Sequence, residues 1–230
     1  MTDTILNVRD AEAIYRNAIE ETRNSIIEVK GDTVSIPVSD FYKLNPLRTF
    51  AYELLSPYGF NLSNINDIIG LKDAIPGKEV QSSTHRLVRD RDLLIVVPKH
   101  KVSERKEYEI TVNDIQSGIT SPVHLRFEIL ESIPAKFDQP LNIAFIDLEK
   151  LEFPLQIRKW RRGDYFYPLG MSQRKRLSDF FIDLKYSKID KEDQWLLCSG
   201  NEIIWVIGHR IDDRYKIVPG TRRILKITLF

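Results

Sequence analysis

One cysteine, Cys198, stands in the 230 residues, so no intrachain disulfide can form and a reducing compartment suits the chain. The four histidines, His85, His100, His124 and His209, are dispersed, and none has a second ligand at metal spacing. No stretch approaches the roughly eighteen apolar residues that a membrane span requires. The opening Met-Thr-Asp-Thr-Ile-Leu-Asn has neither the basic nor the apolar region of a secretory signal, so the expectation is a cytoplasmic protein with no membrane partner. Excess charge is missing too: 34 Lys and Arg face 33 Asp and Glu, a net +1, which argues against a general nucleic-acid coat. Familiar enzyme signatures are also absent. The sequence has no G-x-x-x-x-G-K-[ST] phosphate loop, no G-x-G-x-x-G turn and no G-x-S-x-G elbow. The adjacent carboxylates Glu20-Glu21 and Asp212-Asp213 read as solvated charges, because sequence neighbours point different ways. Cys198, in an apolar run, reads as a small buried hydrophobe.

What is present is an ordinary globular composition, 42% hydrophobic and 29% charged, in a chain long enough for one large domain or two small ones. Ala11, Ile14, Tyr15, Ala18, Ile19, Thr22 and Ile26 recur at helical spacing and predict a long amphipathic helix that Gly31-Asp32 stops. Residues 34–38 predict a short edge strand, with Pro37 as its mark. Asn45-Pro46 predicts the start of a second helix, and Ser63 the cap of a third over 65–71. Residues 84–88 and 93–97 predict a hairpin whose turn, Arg89-Asp-Arg-Asp92, pairs its own charges. Farther on, 108–112 and 123–129 alternate as half-buried antiparallel strands. A strand at 143–147, a helix at 177–184, a hairpin about Ser199-Gly-Asn201 and a closing strand at 224–230 follow.

The expected class is α+β. A helix-led first domain with a small hairpin occupies 1–98, and a linker with connecting strands occupies 99–142. A β-rich, mixed α/β domain of mostly antiparallel strands occupies 143–230. A boundary near 133 fits equally well.

Residues 155–178 break the charge balance. Arg158, Lys159, Arg161, Arg162, Arg174, Lys175 and Arg176 stand against Asp164 alone, a net +6, so the remainder sums to −5. Arginine forks match phosphate, and phosphate contacts supply most sequence-independent affinity for nucleic acid. Gly163-Asp164 and Pro168-Leu-Gly170 predict turns that fold both basic flanks onto one surface, which Lys185, Arg210 and Arg214 extend. Trp160, Tyr165, Phe166 and Tyr167 lie among the cations and read as core filling, with base stacking as the alternative. For the cations the alternatives are a nucleic-acid face, a solvated turn, or a protein-interaction module docking an acidic partner.

Three blocks, residues 157–171, 175–183 and 203–212, resemble in order and spacing the C-terminal domain of the tRNA(Ile)-lysidine synthase family. Upstream, Asp10-Ala-Glu-Ala-Ile-Tyr15 and Gly77-Lys-Glu-Val-Gln-Ser-Ser83 are similar to that family's middle, substrate-binding domain. The resemblance implies an ATP-dependent ligase that joins lysine to C2 of the wobble cytidine in a CAU anticodon, so that the tRNA reads AUA instead of AUG. In the family, ATP, Mg2+ and lysine belong to an N-terminal domain with a Ser-Gly-Gly-x-Asp-Ser loop. No such loop occurs here, so the expectation is the two non-catalytic domains alone, with no catalytic residue, cofactor or metal of their own. The implied partners are tRNA(Ile) with the CAU anticodon and the catalytic domain; a homodimer is left open. The implied tRNA-binding residues are the ten cations named above, reaching toward the acceptor stem.

Overall fold

A computed structural model describes residues 2–99, 107–132 and 140–230. The chain divides into two compact units, Met1–Val102 and Ser103–Phe230. The first is led by α1 (Thr2–Ile26), followed by β1 (Glu28–Lys30), β2 (Thr33–Pro37), α2 (Val38–Phe41), α3 (Leu47–Leu55) and α4 (Leu62–Ile69). Strands β3 (Glu79–Gln81), β4 (His85–Asp90) and β5 (Leu93–Pro98) complete a five-stranded antiparallel sheet in the order β1-β2-β5-β4-β3. Alternation in β2 turns Val34 and Ile36 onto Phe41, Leu54, Leu55, Ile65 and Ile68.

Several sequence expectations change here. Gly31-Asp32 does not end α1, which stops at Ile26; it is the two-residue turn that pairs Lys30 with Thr33, and Gly31 takes φ +57°. β2 is an inner strand, and Pro37 is tolerated as its last residue. Asn61, not Ser63, caps α4, through a reciprocal bond pair with Asn64. The hairpin turn tightens to Arg91-Asp92, with Asp90 opposite Leu93. Arg91 does pair with Asp90, but Arg86 pairs with Glu79, and the buried Nε and Nη1 of Arg89 have no hydrogen-bond partner. The stripe of α1 is only half used. Ile19 is buried, whereas Ile5, Leu6, Val8, Ile14 and Tyr15 are exposed.

The second unit contains β6 (Glu107–Ile110), α5 (Val112–Ser117), β7 (Leu125–Leu130), β8 (Ile143–Asp147) and β9 (Leu155–Lys159). Then come β10 (Tyr165–Phe166), β11 (Lys175–Arg176), α6 (Leu177–Asp183), α7 (Lys188–Asp193), β12 (Trp195–Ser199), β13 (Glu202–Val206) and β14 (Ile224–Leu229). Two antiparallel sheets, β13-β12-β9-β6 and β7-β14-β8, share one core in which Ile157, Leu197 and Trp205 meet Phe127, Ile146 and Ile227. β6 and β7 therefore belong to this unit's sheets and do not form part of a linker: Tyr108 pairs with Ile157, and Phe127 with Ile227. Of the expected linker, 100–106 and 133–139 lie outside the described residues. The strand expected over 108–112 ends at Ile110, because Thr111 caps α5 by exchanging bonds with Asp114.

The other face of β12 and β13 carries a second core, in which Leu196, Cys198, Ile203 and Val206 pack on Phe166, Leu177, Phe180 and Phe181. Coverage on both faces is why 195–198 and 203–207 read as continuous apolar runs. It also seats the basic segment directly on the sheet.

Candidate nucleic-acid interface

The basic segment begins as β9, turns at Gly163, runs out along β10 and returns along β11 into α6. Phe166, opposite Lys175, is fully buried and meets Phe180 edge-on at 5.1 Å between ring centres. Its burial stabilises the seat by about 2–3 kcal/mol. Trp160 packs edge-on against Phe181 at 5.5 Å. These two aromatics are core. Tyr165 is not: it is 44% exposed, opposite Arg176 on the outward side of the strand pair, and the guanidinium of Arg174 lies over its ring at 5.4 Å. Tyr167 meets Tyr165 edge-on at 6.4 Å.

Two carboxylates fix this hairpin from within. Asp164 receives both Nη atoms of Arg158, at 2.7 and 2.9 Å, and the backbone N–H of Arg161 at 2.7 Å. Arg158 is only 7% exposed, so the first cation of the segment is a buried strut. Gly163, at φ +100°, makes the reversal between them. Asp212, with no exposed surface, accepts the backbone N–H of Tyr167 at 2.9 Å and the Nε and Nη2 of Arg214, each at 2.9 Å. Asp213 accepts the N–H of Gly170, while its own N–H donates to the carbonyl of Tyr167. The expectation of solvated charges is therefore wrong for Asp212: it clamps the 167–170 loop to the segment that follows β13. The signal was the third block's own ending, where Asp212 precedes Arg214 by two residues.

The ten expected tRNA-binding cations thus separate by their existing partners. Arg158 is tied to the half-buried Asp164 and Arg214 to the buried Asp212, and Arg214 is also bonded to Glu202. Arg161 pairs with Glu107, and Lys175 with Asp183. Lys159 lies 4.0 Å from the Trp195 ring centre and donates to the carbonyl of Asp193; burial pushes its amine pKa down. Lys185 sits just past α6 at φ +56° and has an interaction of its own. Among the described residues, Arg162, Arg174, Arg176 and Arg210 are exposed and make no side-chain hydrogen bond or ion pair. The strand pair joins Arg174 and Arg176 through Tyr165. Arg162 sits in the turn leading to that strand, and Arg210 adjoins Ile211, whose carbonyl receives the N–H of Leu169. Sequence spacing does not separate these four from the others: Asp164, Asp183 and Asp212 lie two to eight residues from the cations they hold, but Glu107 lies 54 residues from Arg161, and only the fold shows which cation each acid takes.

Beneath this face Cys198 is fully buried, and burial pushes its thiol up to about 11, far from a reactive thiolate. No group of three or more His, Cys, Asp or Glu among the described residues is arranged to hold a metal ion. No helix among them is long and apolar enough to cross a membrane.

Residues 29–99 match the family model of the TilS substrate binding domain, and residues 155–227 that of the TilS C-terminal domain. The second match opens on the first residue of β9 and includes the whole basic segment. The chain is 41% identical over 217 residues to the tRNA(Ile)-lysidine synthase of Parabacteroides distasonis, covering 94% of this chain and 48% of that protein. To the tRNA(Ile)-lysidine synthase of Bacteroides thetaiotaomicron it is 32% identical over 226 residues, covering 98% and 49% respectively. A crystal structure of a TilS C-terminal domain aligns with 54% of this chain and 96% of its own at 21% identity, with a TM-score of 0.44. The chain spans about half the length of the curated relatives it matches. With both domain models matched in order and the relatives aligned along nearly all of its length, the chain belongs to the tRNA(Ile)-lysidine synthase family and carries that family's substrate-binding and C-terminal domains.

Proposed function

We propose that these two units grip and select tRNA for a tRNA(Ile)-lysidine synthase. In this reading the whole protein works in the cytoplasm and ligates lysine to C2 of the wobble cytidine of tRNA(Ile) bearing a CAU anticodon. The chemistry belongs to a partner catalytic domain, which binds ATP, Mg2+ and lysine. The residues described here form no phosphate loop and no metal cluster, and no step of the ligation is assigned to them.

The observation that carries the reading is the set of unpaired arginines, Arg162, Arg174 and Arg176 on the hairpin and Arg210 beside it, among cations of which Arg158, Arg161, Lys175 and Arg214 already hold acids. A cation with its acid in place gains little from a phosphate, whereas an exposed unpaired one releases a counterion when it binds. Such contacts position an A-form stem through its backbone and shape, with sequence read by few groups. The test is titration of tRNA(Ile) transcript at several salt concentrations with the wild-type chain and a variant carrying Arg→Ala at all four positions. The expected slope of log affinity against log salt is flatter by about one unit for each arginine on a phosphate. Unchanged affinity and slope would sink the reading.

The exposed apolar residues of α1 support the catalytic domain as partner, because a helix half without a packed face is marginal in water. Amide exchange over residues 3–15 is expected to slow when the catalytic domain is supplied in trans, and unaltered exchange would remove that support. Selection beyond the anticodon is checked by competition: a tRNA(Ile) transcript with the CAU anticodon is expected to outcompete the initiator methionine tRNA, which shares that anticodon, and equal competition would reject it.

A further inference from the structure

We propose that Tyr165, framed by Arg174 and Arg176, is a stacking platform for one unpaired nucleobase, so this face engages the open end of an RNA helix or a splayed nucleotide. The inference rests on the RNA-binding reading above and names the part of the RNA that meets this hairpin.

The geometry is that of a ring held for contact. Strand alternation buries Phe166 completely, and with it commits Tyr165 to the opposite, outward side. The backbone there has little freedom, since Asp164 ties down the turn before it and Asp212 holds the N–H of Tyr167 after it. Arg174 lies over the ring at 5.4 Å, and Tyr167 approaches edge-on, while 44% of Tyr165 stays open to solvent. Arg176 faces it across the strand pair. An exposed aromatic among unpaired arginines is the combination that binds single-stranded nucleic acid: the ring takes the base, and the cations take the flanking phosphates.

A closed stem cannot use such a ring. Its bases are stacked on each other, and its deep major groove excludes side chains, so no base face is available except at an end or a bulge. A platform on this hairpin therefore predicts discrimination by RNA form as well as by charge.

The test uses the full 230-residue chain and two probes, a blunt-ended RNA hairpin and the same hairpin with a single-stranded 3′ tail carrying 2-aminopurine. Tyr165 makes no hydrogen bond to the fold, and thermal melts establish that its variants remain folded. The wild-type chain is expected to prefer the tailed probe and to quench its fluorophore. Tyr165→Ala is expected to lose roughly fivefold to a hundredfold in affinity for the tailed probe, the range of base–aromatic stacking, and to leave the blunt probe unchanged. Tyr165→Phe keeps the ring and is expected to keep the preference. If Tyr165→Ala weakens both probes equally, or neither, while Arg176→Ala weakens both, the platform is refuted and the RNA reading stands. If the arginine variants also change nothing, the RNA reading fails and the platform fails with it.

Discussion

Arg158 and Arg162 lie four residues apart in the same basic segment and have opposite fates. Arg158 ends up beneath the hairpin, 7% exposed and bidentate on Asp164, whereas Arg162 stays in water with no partner among the described residues. The difference is not in the side chain but in the strand. Arg158 lies in β9, between β12 and β6 in the sheet, and its charge is kept there by an acid six residues on. Arg162 lies in the turn that this acid organises. A cluster of cations in sequence is thus two populations in space, a rigid floor that shapes the hairpin and a rim left over for a polyanion. Only the second holds no acid among the described residues.

Breaking the floor is expected to give the largest effects. Arg158→Met or Asp164→Leu alone strands a buried charge, and each is expected to cost about 3–5 kcal/mol in urea unfolding. The double variant is expected to recover most of that loss, since two apolar groups replace the pair; a double variant as unstable as the singles would show that the pair does more than neutralise itself. Next is Asp212→Asn, which weakens the charge-assisted bonds to Arg214 and is expected to cost about 2–3 kcal/mol. It should also loosen the 167–170 loop, seen as faster amide exchange at Tyr167 and Gly170. On the rim, Arg162→Ala, Arg174→Ala and Arg176→Ala together are expected to leave stability within about 0.5 kcal/mol, while flattening the salt slope of RNA binding by up to about three units. A rim variant that unfolds, or a floor variant that melts normally yet fails to bind RNA, would erase the distinction.

The smallest expected effect is on pH dependence. His209, bonded to the hydroxyl of Tyr186, has its imidazole pKa pushed down by burial from the ordinary 6.5. The folded state then binds fewer protons than the unfolded one just below that value. Its contribution to stability is complete above about pH 6.5 and declines as the pH falls through the window beneath it. His209→Gln is expected to narrow the difference between urea midpoints at about pH 7.5 and about pH 5.5. An unaltered difference would assign the acid sensitivity to other groups.

What was legible in the sequence was whatever local periodicity controls. The hairpin of β4 and β5, the alternation of β7 and the hairpin about Ser199-Gly-Asn201 could all be read from the sequence. Boundaries set by a single side chain are the ones the sequence misplaces: Asn61 rather than Ser63 caps α4, and Thr111 ends an expected strand two residues early by capping α5. The site was legible as a charge imbalance and illegible as a surface. Glu107, Asp183 and Glu202, which remove Arg161, Lys175 and Arg214 from the pool, reach them from other elements, and only the folded chain brings them together. Composition does not reveal which of two adjacent rings a strand turns outward, so Tyr165 reads with its aromatic neighbours as core filling or base stacking alike, and the strand decides.

The clamp at Asp212 has a consequence for genetics. A carboxylate with no exposed surface holds the loop that adjoins the arginine rim, so a screen for lost RNA binding would return Asp212, Asp164 and Arg158 beside the contact arginines. The two groups would separate by temperature: alleles of Asp212, Asp164 and Arg158 should be rescued at low growth temperature, and alleles of the rim should not.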